Sequence, residues 1–171
     1  MLGVVLAGGK SSRFGSDKAL AEVAGRNLIS IAVDRLSGWC DEVVIAGREY
    51  GPARCIPDQP SPDLGPLGGL CAALRLAADE GHDVVLSCSV DCLDLPEDLP
   101  AQLQPAPSCL AQQPVVGLWP ASASATLEAL LASGGNRSMR HFAQSIGARL
   151  IETDWQAGNV NTPADLERYN R

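Results

Sequence analysis

Short apolar runs alternate along the chain with segments of helical periodicity. Residues 2–7, 42–46 and 83–90 are largely apolar runs without regular polar alternation, a pattern typical of strands buried on both faces of a parallel sheet. The segments between them space their apolar residues at three- and four-residue intervals, as amphipathic helices do. This alternation predicts strands joined by helices, and therefore an α/β fold.

Two of the predicted helices show a clear apolar face. The first begins at Leu28, and its face would consist of Leu28, Ile29, Ala32, Val33 and Leu36. The second follows a turn region rich in proline and glycine at residues 57–69, and its face would consist of Leu67, Leu70, Cys71, Leu74 and Ala78. Faces of this kind pack against a sheet, so we expect both helices to cover the predicted strands.

The second half of the chain contains shorter elements. We predict strand segments within residues 108–119, a last strand at 149–151, and helices at 96–103, 126–131, 136–146 and 163–169. Residues 1–171 are expected to form a single three-layer α/β/α domain with a mainly parallel, Rossmann-like sheet. In such sheets ligands bind outside the carboxyl ends of the strands. The loops after Leu6, Ala46 and Val90 are therefore the candidate ligand loops.

Charge and composition narrow the possible partners. The chain carries 20 acidic and 13 basic residues, a formal net charge of −7, which does not favour a broad basic surface for a nucleic acid. No segment approaches the ~20 consecutive apolar residues that a membrane span needs, so no membrane partner is expected. The two lysines of the chain, Lys10 and Lys18, both lie in the glycine-rich stretch after the first strand.

The six cysteines form no recognisable metal or disulfide pattern. No secretory signal precedes the first apolar run, so a cytoplasmic location with reduced thiols is expected. Cys88 and Cys92 lack the nearby histidine or second cysteine pair that would complete a zinc site. We expect buried, chemically inert thiols.

A glycine-rich loop over residues 6–20 directly follows the first strand. Its glycines and cations are Gly8, Gly9, Gly15, Lys10, Arg13 and Lys18. Glycines let the backbone approach a ligand closely, and successive amides with nearby cations bind anions. The loop is not a P-loop, because Val4 stands where the first glycine would be, and adjacent glycines exclude the dinucleotide pattern. A phosphate site of another kind is favoured over an ordinary solvated turn.

The segment Gly3-Val-Val-Leu-Ala-Gly-Gly-Lys-Ser-Ser-Arg-Phe-Gly-Ser-Asp-Lys-Ala closely resembles the signature of the molybdenum cofactor guanylyltransferases, which belong to the nucleotidyltransferase superfamily. Further landmarks of that family follow in the same order: Pro57-Asp58, the glycine-rich run 65–69, Asp91, Gln113-Pro114 and residues 159–163. The resemblance covers essentially the whole chain. It implies the fold of the nucleotide-diphospho-sugar transferases.

The resemblance implies a magnesium-dependent transfer of GMP from GTP to the terminal phosphate of molybdenum-bearing molybdopterin, with release of pyrophosphate. Molybdoenzymes or the proteins that insert their cofactor are further implied partners. Carried over by position, the implied nucleotide-binding residues are Leu6, Ala7, Gly8, Gly9, Arg13, Lys18, Asp58 and Asp91. Lys18 and Asp91 are also implied in catalysis, with Asp91 as the metal ligand, and Asn159 and Asn161 in acceptor binding. Such a reaction mainly requires two polyanions to be positioned and their charge neutralised.

The carried-over residues also have structural interpretations. Asp91 could cap the helix predicted from residue 96, although Asp94 is better placed for that cap. Asp58 follows a proline and could simply form a turn, and the two late asparagines could stabilise the loop before the last helix. The run 65–69 opens a helix, so its amides could face an anion or only begin the helix.

Two departures from the family pattern bear on function. Guanylyl-specific relatives tend to carry an asparagine at the end of the second strand, where this chain has Ile45-Ala46-Gly47. After Asp91, Cys92-Leu93 replaces the usual Thr-Pro or Met-Pro pair. The Leu-Ala-Gly-Gly form of the first loop resembles the guanylyl branch, so GTP is favoured over CTP. A nucleotidyltransferase with another phosphorylated acceptor and a non-catalytic nucleotide carrier are the alternatives.

Several polar side chains are left without an assigned role. Lys10 lies in the same loop as Lys18 but has no specific function in this interpretation. Arg137, Arg140 and His141 could contact the acceptor, although arginines three residues apart also form ordinary solvated helix faces. His82 precedes a predicted strand and is expected to be exposed.

Overall fold

A seven-stranded sheet forms the centre of the computed structural model, which describes residues 1–8 and 17–153. The described residues form nine strands, of which β2 and β3 pair in a separate two-stranded sheet. They are β1 (Leu2–Leu6), β2 (Glu22–Val23), β3 (Arg26–Asn27), β4 (Glu42–Ala46), β5 (Arg54–Ile56), β6 (Val84–Ser89), β7 (Ser108–Leu110), β8 (Gly117–Pro120) and β9 (Arg149–Ile151). The helices are α1 (Leu28–Ser37), α2 (Pro66–Glu80), α3 (Leu99–Leu103), α4 (Ser124–Ala132) and α5 (Met139–Ser145), with short 3-10 helices at Lys18–Leu20 and Ala121–Ala123. None of the described helices is both long and apolar enough to cross a membrane.

The large sheet is mainly parallel, with the strand order β5-β4-β1-β6-β8-β7-β9. β1 pairs in parallel with β4 and β6, as do β4 with β5 and β7 with β9, whereas β8 runs antiparallel to both its neighbours. The chain moves outward from β1 through β4 to β5, then returns to the other side of β1 with β6. This reversal is a topological switch point, where a crevice opens at the carboxyl ends of the strands.

Helices cover both faces of the sheet, which confirms the predicted three-layer arrangement. On one face, α2, α4 and α5 pack against Val4 and the other apolar strand residues that point to the same side of the sheet. On the other face, α1 and α3 pack against Val5, Ile45 and Leu86. Successive residues in a strand point to opposite faces. The continuous apolar runs therefore supply both layers of the core at once.

The ends of two predicted helices shift because of local hydrogen bonds. α3 begins at Leu99 rather than at residue 96, since the amide of Leu99 donates to the carbonyl of Pro96 in a preceding turn (3.1 Å). α5 begins at Met139 rather than at 136, because the Ser138 hydroxyl caps the helix by accepting from the amide of His141 (3.1 Å). The helix predicted at 163–169 lies outside the described residues.

Three short strands, β2, β3 and β5, are absent from the sequence prediction. Strands of two or three residues contain too few positions to establish a period. β2 and β3 form a hairpin around Ala24 and Gly25, which both have positive φ angles (50° and 75°), as a tight primed turn requires.

In α2, Ala78 is exposed and Ala77 is buried instead. The prediction for Ala78 is therefore wrong by one residue.

The six cysteines are all free thiols. Cys71, Cys88, Cys92 and Cys109 are buried, as expected. Cys40 and Cys55 are only half-buried, so the expectation of fully buried thiols is wrong for these two.

Candidate active site

The three loops singled out in the sequence begin side by side at one edge of the sheet. Leu6 at the end of β1 is in register with Ala46 of β4 and with Ser89 of β6. The loops that follow these strands therefore share the crevice at the switch point. Four of the implied site residues lie outside the described residues, namely Gly9, Arg13, Asn159 and Asn161.

Lys18 and Asp91 meet at this edge. The Lys18 Nζ atom lies 2.7 Å from Asp91 Oδ2, although the two residues are 73 positions apart in the chain. Their side chains keep 15% and 17% of their surface exposed, so the pair is shielded but can still be reached by a ligand. A cation beside a carboxylate can neutralise phosphate charge while the carboxylate offers hard oxygen ligands.

The geometry excludes the capping interpretation of Asp91. α3 has Asp98 at its N-cap position, without a side-chain hydrogen bond to the helix. Asp91 instead lies in a turn just after β6, where the amide of Cys92 donates to the carbonyl of Ser89 (3.2 Å). Asp94 is not the cap either.

Side chains behind Asp91 form hydrogen bonds with one another. The Ser89 hydroxyl hydrogen-bonds to Asp91 Oδ1 and contacts Cys92 Sγ at 3.2 Å. Gln113 Nε2 donates to the same sulfur at 3.2 Å. Burial raises the pKa of the Cys92 thiol to about 11, so it remains a thiol at neutral pH. The sequence offered only one signal of this arrangement, a serine two residues before the aspartate.

A cleft of about 920 Å³ opens at the carboxyl ends of β1, β4 and β5. It is lined by Gly8, Gly47, Arg48, Glu49, Cys55, Pro57, Asp58, Pro62, Asp63 and Gly65. Small-molecule sites commonly have volumes of about 300–1,000 Å³. The cleft therefore brings together Gly8 and Asp58 in a space large enough for a nucleotide.

Asp58 lies against the first turn of α2. A Cβ atom on Gly68 would come within 3.1 Å of Asp58 Oδ2, so glycine there lets the carboxylate approach the helix backbone. Burial raises the pKa of Asp58, and the negative charge of Asp63 raises it further. The Asp58 carboxylate is therefore half-buried between the first turn of α2 and the cleft.

Backbone atoms form the wall between β1 and β4. Gly47 has a φ angle of +85°, and a Cβ atom there would lie 2.5 Å from the Cα atom of Gly8. Ile45 and Ala46 are buried in the core. The segment that replaces the family's usual asparagine therefore offers a close backbone approach instead of a polar side chain.

Arg48 ties the loop after β4 to the 3-10 helix that carries Lys18. Its guanidinium donates to both carboxylate oxygens of Asp17, each at 2.7 Å. Asp17 in turn accepts from the amide of Ala19 (3.2 Å) and caps that helix. The hydrogen bond from Arg48 is the main cause that lowers the pKa of Asp17. Sequence reasoning missed this pair, because residues 31 positions apart carry no local signal.

The family model of the MobA-like NTP transferase domain matches residues 3–150. The chain belongs to the MobA-like NTP transferase family. It is 35% identical to proteins named molybdenum cofactor guanylyltransferase from Rhizobium johnstonii and Acidiphilium cryptum, over 99% and 96% of its length and 91% of each relative.

A solved structure shares the fold of this MobA-like NTP transferase. It is the molybdopterin-guanine dinucleotide biosynthesis protein A of Archaeoglobus fulgidus, with a TM-score of 0.79 and 20% sequence identity. The match covers 99% of this chain and 97% of that one. The predicted nucleotide-diphospho-sugar transferase type of fold is thus confirmed.

The other polar candidates of this MobA-like NTP transferase either contact neighbouring groups of the protein or are exposed to solvent. The guanidinium of Arg140 donates to the carbonyl of Ala111 after β7. Arg137 and His141 are exposed. His82 is half-buried, with Nε2 4.0 Å from Glu42 Oε2 at the start of β4, so the expectation that it is exposed is wrong. Leu6 is 6% exposed with its side chain in the core, which leaves its backbone for ligand contact.

Proposed function

We propose that this protein transfers GMP from GTP to the terminal phosphate of molybdenum-bearing molybdopterin and releases pyrophosphate. The observation that carries the proposal is the Lys18–Asp91 pair beside a nucleotide-sized cleft at the switch point of the sheet. The names of the relatives at 35% identity supply the substrate class. Ion pair and cleft lie on opposite sides of the β1 terminus, as the phosphate and base ends of one nucleotide would.

In this proposal the base lies in the cleft and the phosphates extend toward Lys18. The backbone of Leu6, Ala7 and Gly8 forms the bridge between the two halves, and Gly8 can approach the ligand closely because it carries no side chain. Gly9 and Arg13 belong to the same loop by sequence and are proposed to bind the phosphates. Asn159 and Asn161 are proposed to contact the acceptor.

Carboxylates in the cleft support guanine as the base. Glu49, Asp58 and Asp63 line it, and ionised carboxylates accept hydrogen bonds without donating any. Guanine presents two neighbouring donors, its N1–H and 2-amino groups, on one edge. Cytosine presents a single amino donor there, followed along the same edge by two acceptors, N3 and O2, that a carboxylate would repel. The cleft therefore favours GTP even without an asparagine at the end of β4.

Asp91 fits the role of a magnesium ligand. Mg²⁺ prefers hard oxygen donors and is commonly held by one or two carboxylates together with substrate phosphates and water. The Asp91 carboxylate is partly exposed at the sheet edge and lies beside a cation that can bind the same phosphates. When bound, magnesium would neutralise phosphate charge and polarise the phosphoryl group.

The proposed reaction requires the protein mainly to position the two phosphorylated substrates and to neutralise their negative charge. An oxygen of the acceptor phosphate attacks the α-phosphorus of GTP, a new P–O bond forms, and the bond to pyrophosphate breaks. The attacking phosphate oxygen is already ionised at neutral pH, so no general base is required. Lys18 would move from Asp91 to the phosphates and stabilise the charge that spreads over them in the transition state.

We infer a cytoplasmic place for this reaction, because all six cysteines are free thiols and reduced thiols are the rule in that compartment. Molybdoenzymes or the proteins that insert their cofactor would receive the product. Both inferences depend on the proposed activity.

The decisive experiment measures pyrophosphate release by the purified protein with Mg²⁺, molybdenum-bearing molybdopterin and either GTP, CTP or ATP. We expect release with GTP and at least tenfold slower release with the other nucleotides. A preference for CTP would overturn guanylyl transfer but keep nucleotidyl transfer. Binding of GTP without any pyrophosphate release would indicate a nucleotide carrier instead.

A further inference from the structure

A chain of hydrogen bonds runs away from the Asp91 carboxylate into the protein. Ser89 ends β6, and its hydroxyl contacts both Asp91 Oδ1 and Cys92 Sγ, the latter at 3.2 Å. Gln113, between β7 and β8, donates from Nε2 to Cys92 Sγ at 3.2 Å. Cys92 is 1% exposed. The turn after β6 is thereby joined to the loop between two other strands.

The number of available protons determines which group donates in each of these hydrogen bonds. An ionised carboxylate has no proton to give, so the Ser89 hydroxyl must donate its single proton to Asp91. The contact between Ser89 and Cys92 must then be donated by the thiol, with the serine oxygen as acceptor. The amide of Gln113 donates to the sulfur in turn. Each hydrogen bond in this series is therefore donated in the direction of Asp91.

The two oxygens of Asp91 are held by different partners. Oδ2 accepts from Lys18, while Oδ1 accepts from Ser89. In the proposed reaction Lys18 leaves Asp91 to bind phosphate, and the carboxylate then loses one of these two restraints. The bond from Ser89 does not depend on the nucleotide, so it can hold the carboxylate throughout.

We propose that Ser89 is a positioning residue that orients the Asp91 carboxylate toward the divalent metal, supported from behind by Cys92 and Gln113. This inference rests on the proposed function. Residues that orient a metal ligand typically contribute about 10–100-fold to metal affinity or activity. Ser89 itself contacts neither phosphate nor metal in this role.

The test compares Ser89→Ala, Ser89→Thr and a control, Ser37→Ala. Ser37→Ala removes a hydroxyl that donates one hydrogen bond, to the carbonyl of Val33 on α1 (2.8 Å), far from the Asp91 carboxylate in the chain. Mn²⁺ binding in the presence of GTP is measured from the EPR signal of free Mn²⁺, and kcat and KM for GTP are measured separately. We expect Ser89→Ala to weaken Mn²⁺ binding and lower kcat by about tenfold or more, with the KM for GTP changed less than about threefold.

The conservative variant separates orientation from general damage. Ser89→Thr keeps the hydroxyl and should bind Mn²⁺ within about threefold of the wild type, as should Ser37→Ala. Mn²⁺ affinity in Ser89→Ala equal to the wild-type value would overturn the proposal. So would a Ser89→Thr protein that is as impaired as Ser89→Ala, because the hydroxyl would then not be the determinant.

A second pair of variants tests the same chain if Ser89→Ala folds poorly. Cys92→Ala removes the thiol that donates to Ser89, whereas Cys92→Ser keeps a donor of similar size. We expect about threefold or greater weakening of Mn²⁺ binding in the first and near wild-type binding in the second. Equal binding by the two would contradict the proposal. Absence of pyrophosphate release by the wild type would overturn the proposed function, while the Mn²⁺ data would still decide the role of Ser89.

Discussion

Lys18 and Asp91 form an ion pair at the carboxyl edge of the sheet, where the proposed function places the phosphates of the nucleotide. The pair is only partly exposed, so each charge is expensive to leave without a partner. A ligand that brings both phosphate and a divalent cation can satisfy both residues at once. At the residue scale, the ion pair therefore holds both groups in place, as the proposed function requires before substrate binds.

We expect Lys18→Met and Asp91→Asn each to lower the rate of pyrophosphate release by about 10²–10³-fold, because the first removes a cation that would stabilise the transition state and the second weakens the carboxylate proposed to hold magnesium. The double variant should be little worse than either single one, since groups that act as a unit are not additive. Steady-state kinetics with GTP and Mg²⁺ provide the measurement. The exposed ion pair Arg26–Asp34 gives a matched control, in which Arg26→Met and Asp34→Asn leave the rate unchanged. A rate above a third of wild type in Asp91→Asn would contradict the metal assignment.

Gly47 makes a second prediction at the residue scale. Gly47→Ala would place a Cβ atom 2.5 Å from Gly8 in a residue with φ of +85°. We expect a loss of about 2 kcal/mol or more in the free energy of unfolding, together with weaker GTP binding, because strain and overlap add. Urea denaturation followed by circular dichroism measures the first effect and calorimetry the second.

The control for this glycine is Gly38→Ala. Gly38 has a φ angle of −71°, and its nearest contact for an added Cβ atom is an ordinary 3.4 Å. This variant should be neutral or stabilised by about 0.5 kcal/mol. Equal free energies of unfolding for Gly47→Ala and Gly38→Ala would contradict this prediction, because a methyl group at Gly47 would then cause no strain where β1 and β4 approach each other.

At the scale of elements, strands with long apolar runs could be predicted from the sequence, and very short strands could not. β1, β4 and β6 were predicted because each contributes residues to both core layers and therefore reads as a continuous apolar run. β5 has three residues, and its place beside β4 depends on pairing that no local pattern contains. The resemblance and the sheet topology placed Lys18 and Asp91 at the same edge of the sheet. Their ion pair, like the Arg48–Asp17 and Ser89–Cys92–Gln113 contacts, was not predicted, because no local pattern contains it.

The Arg48–Asp17 pair joins two elements and has a defined pH dependence. Its hydrogen bonds lower the pKa of Asp17 below the ordinary 3.8. A lowered carboxylate pKa gives stability that is present above the unfolded-state pKa and lost as the pH falls through the folded-state value. The pair should therefore contribute fully from pH 7 to about pH 5 and fail only below about pH 4.

Thermal unfolding of the wild type and Arg48→Met across this pH range tests the linkage. We expect Arg48→Met to lower the Tm by about 2 °C near neutral pH, since partly exposed pairs contribute little. The difference should shrink as the pH falls below about 4 and through the lowered folded-state pKa of Asp17. In an Asp17→Asn background the same substitution should have no pH-dependent effect. A difference in Tm that does not shrink as the pH falls below about 4 would mean that Arg48 acts through other contacts.

At the scale of the whole molecule, the two edges of the sheet carry different charge arrangements. At the amino edge, Arg54 lies 2.8 Å from Glu80 and 3.4 Å from Glu42, with His82 nearby. Arg54 offsets one of the two glutamate charges, and these contacts join β4, β5 and α2. Glu42, Glu80 and His82 lie close enough together to hold a cation. At the carboxyl edge, Arg48 lines the cleft and Lys18 pairs with Asp91 on the other side of the β1 terminus. The net charge of −7 therefore opposes an extended nucleic acid while permitting a small phosphorylated ligand.

The distribution of thiols over the molecule offers a probe of that cleft. Burial raises the pKa of Cys40 to about 12 and those of Cys71, Cys92 and Cys109 to about 11. Burial also raises the pKa of Cys88. Thiolates are the reactive species, so these five cysteines should react slowly in the native protein. Cys55 is half-buried and lines the cleft, which makes it the expected site of fast modification.

GTP with Mg²⁺ should protect Cys55 if the nucleotide occupies the cleft. The rate of modification by a disulfide reagent at pH 8, located by peptide mass spectrometry, should fall about tenfold when GTP is present at ten times its dissociation constant, since only the free protein reacts. Cys55→Ser should remove the fast phase and leave the slow thiols unchanged. GTP binding without any protection of Cys55 would place the base elsewhere. Protection by CTP at a lower concentration than by GTP would instead keep the cleft but reverse the base preference.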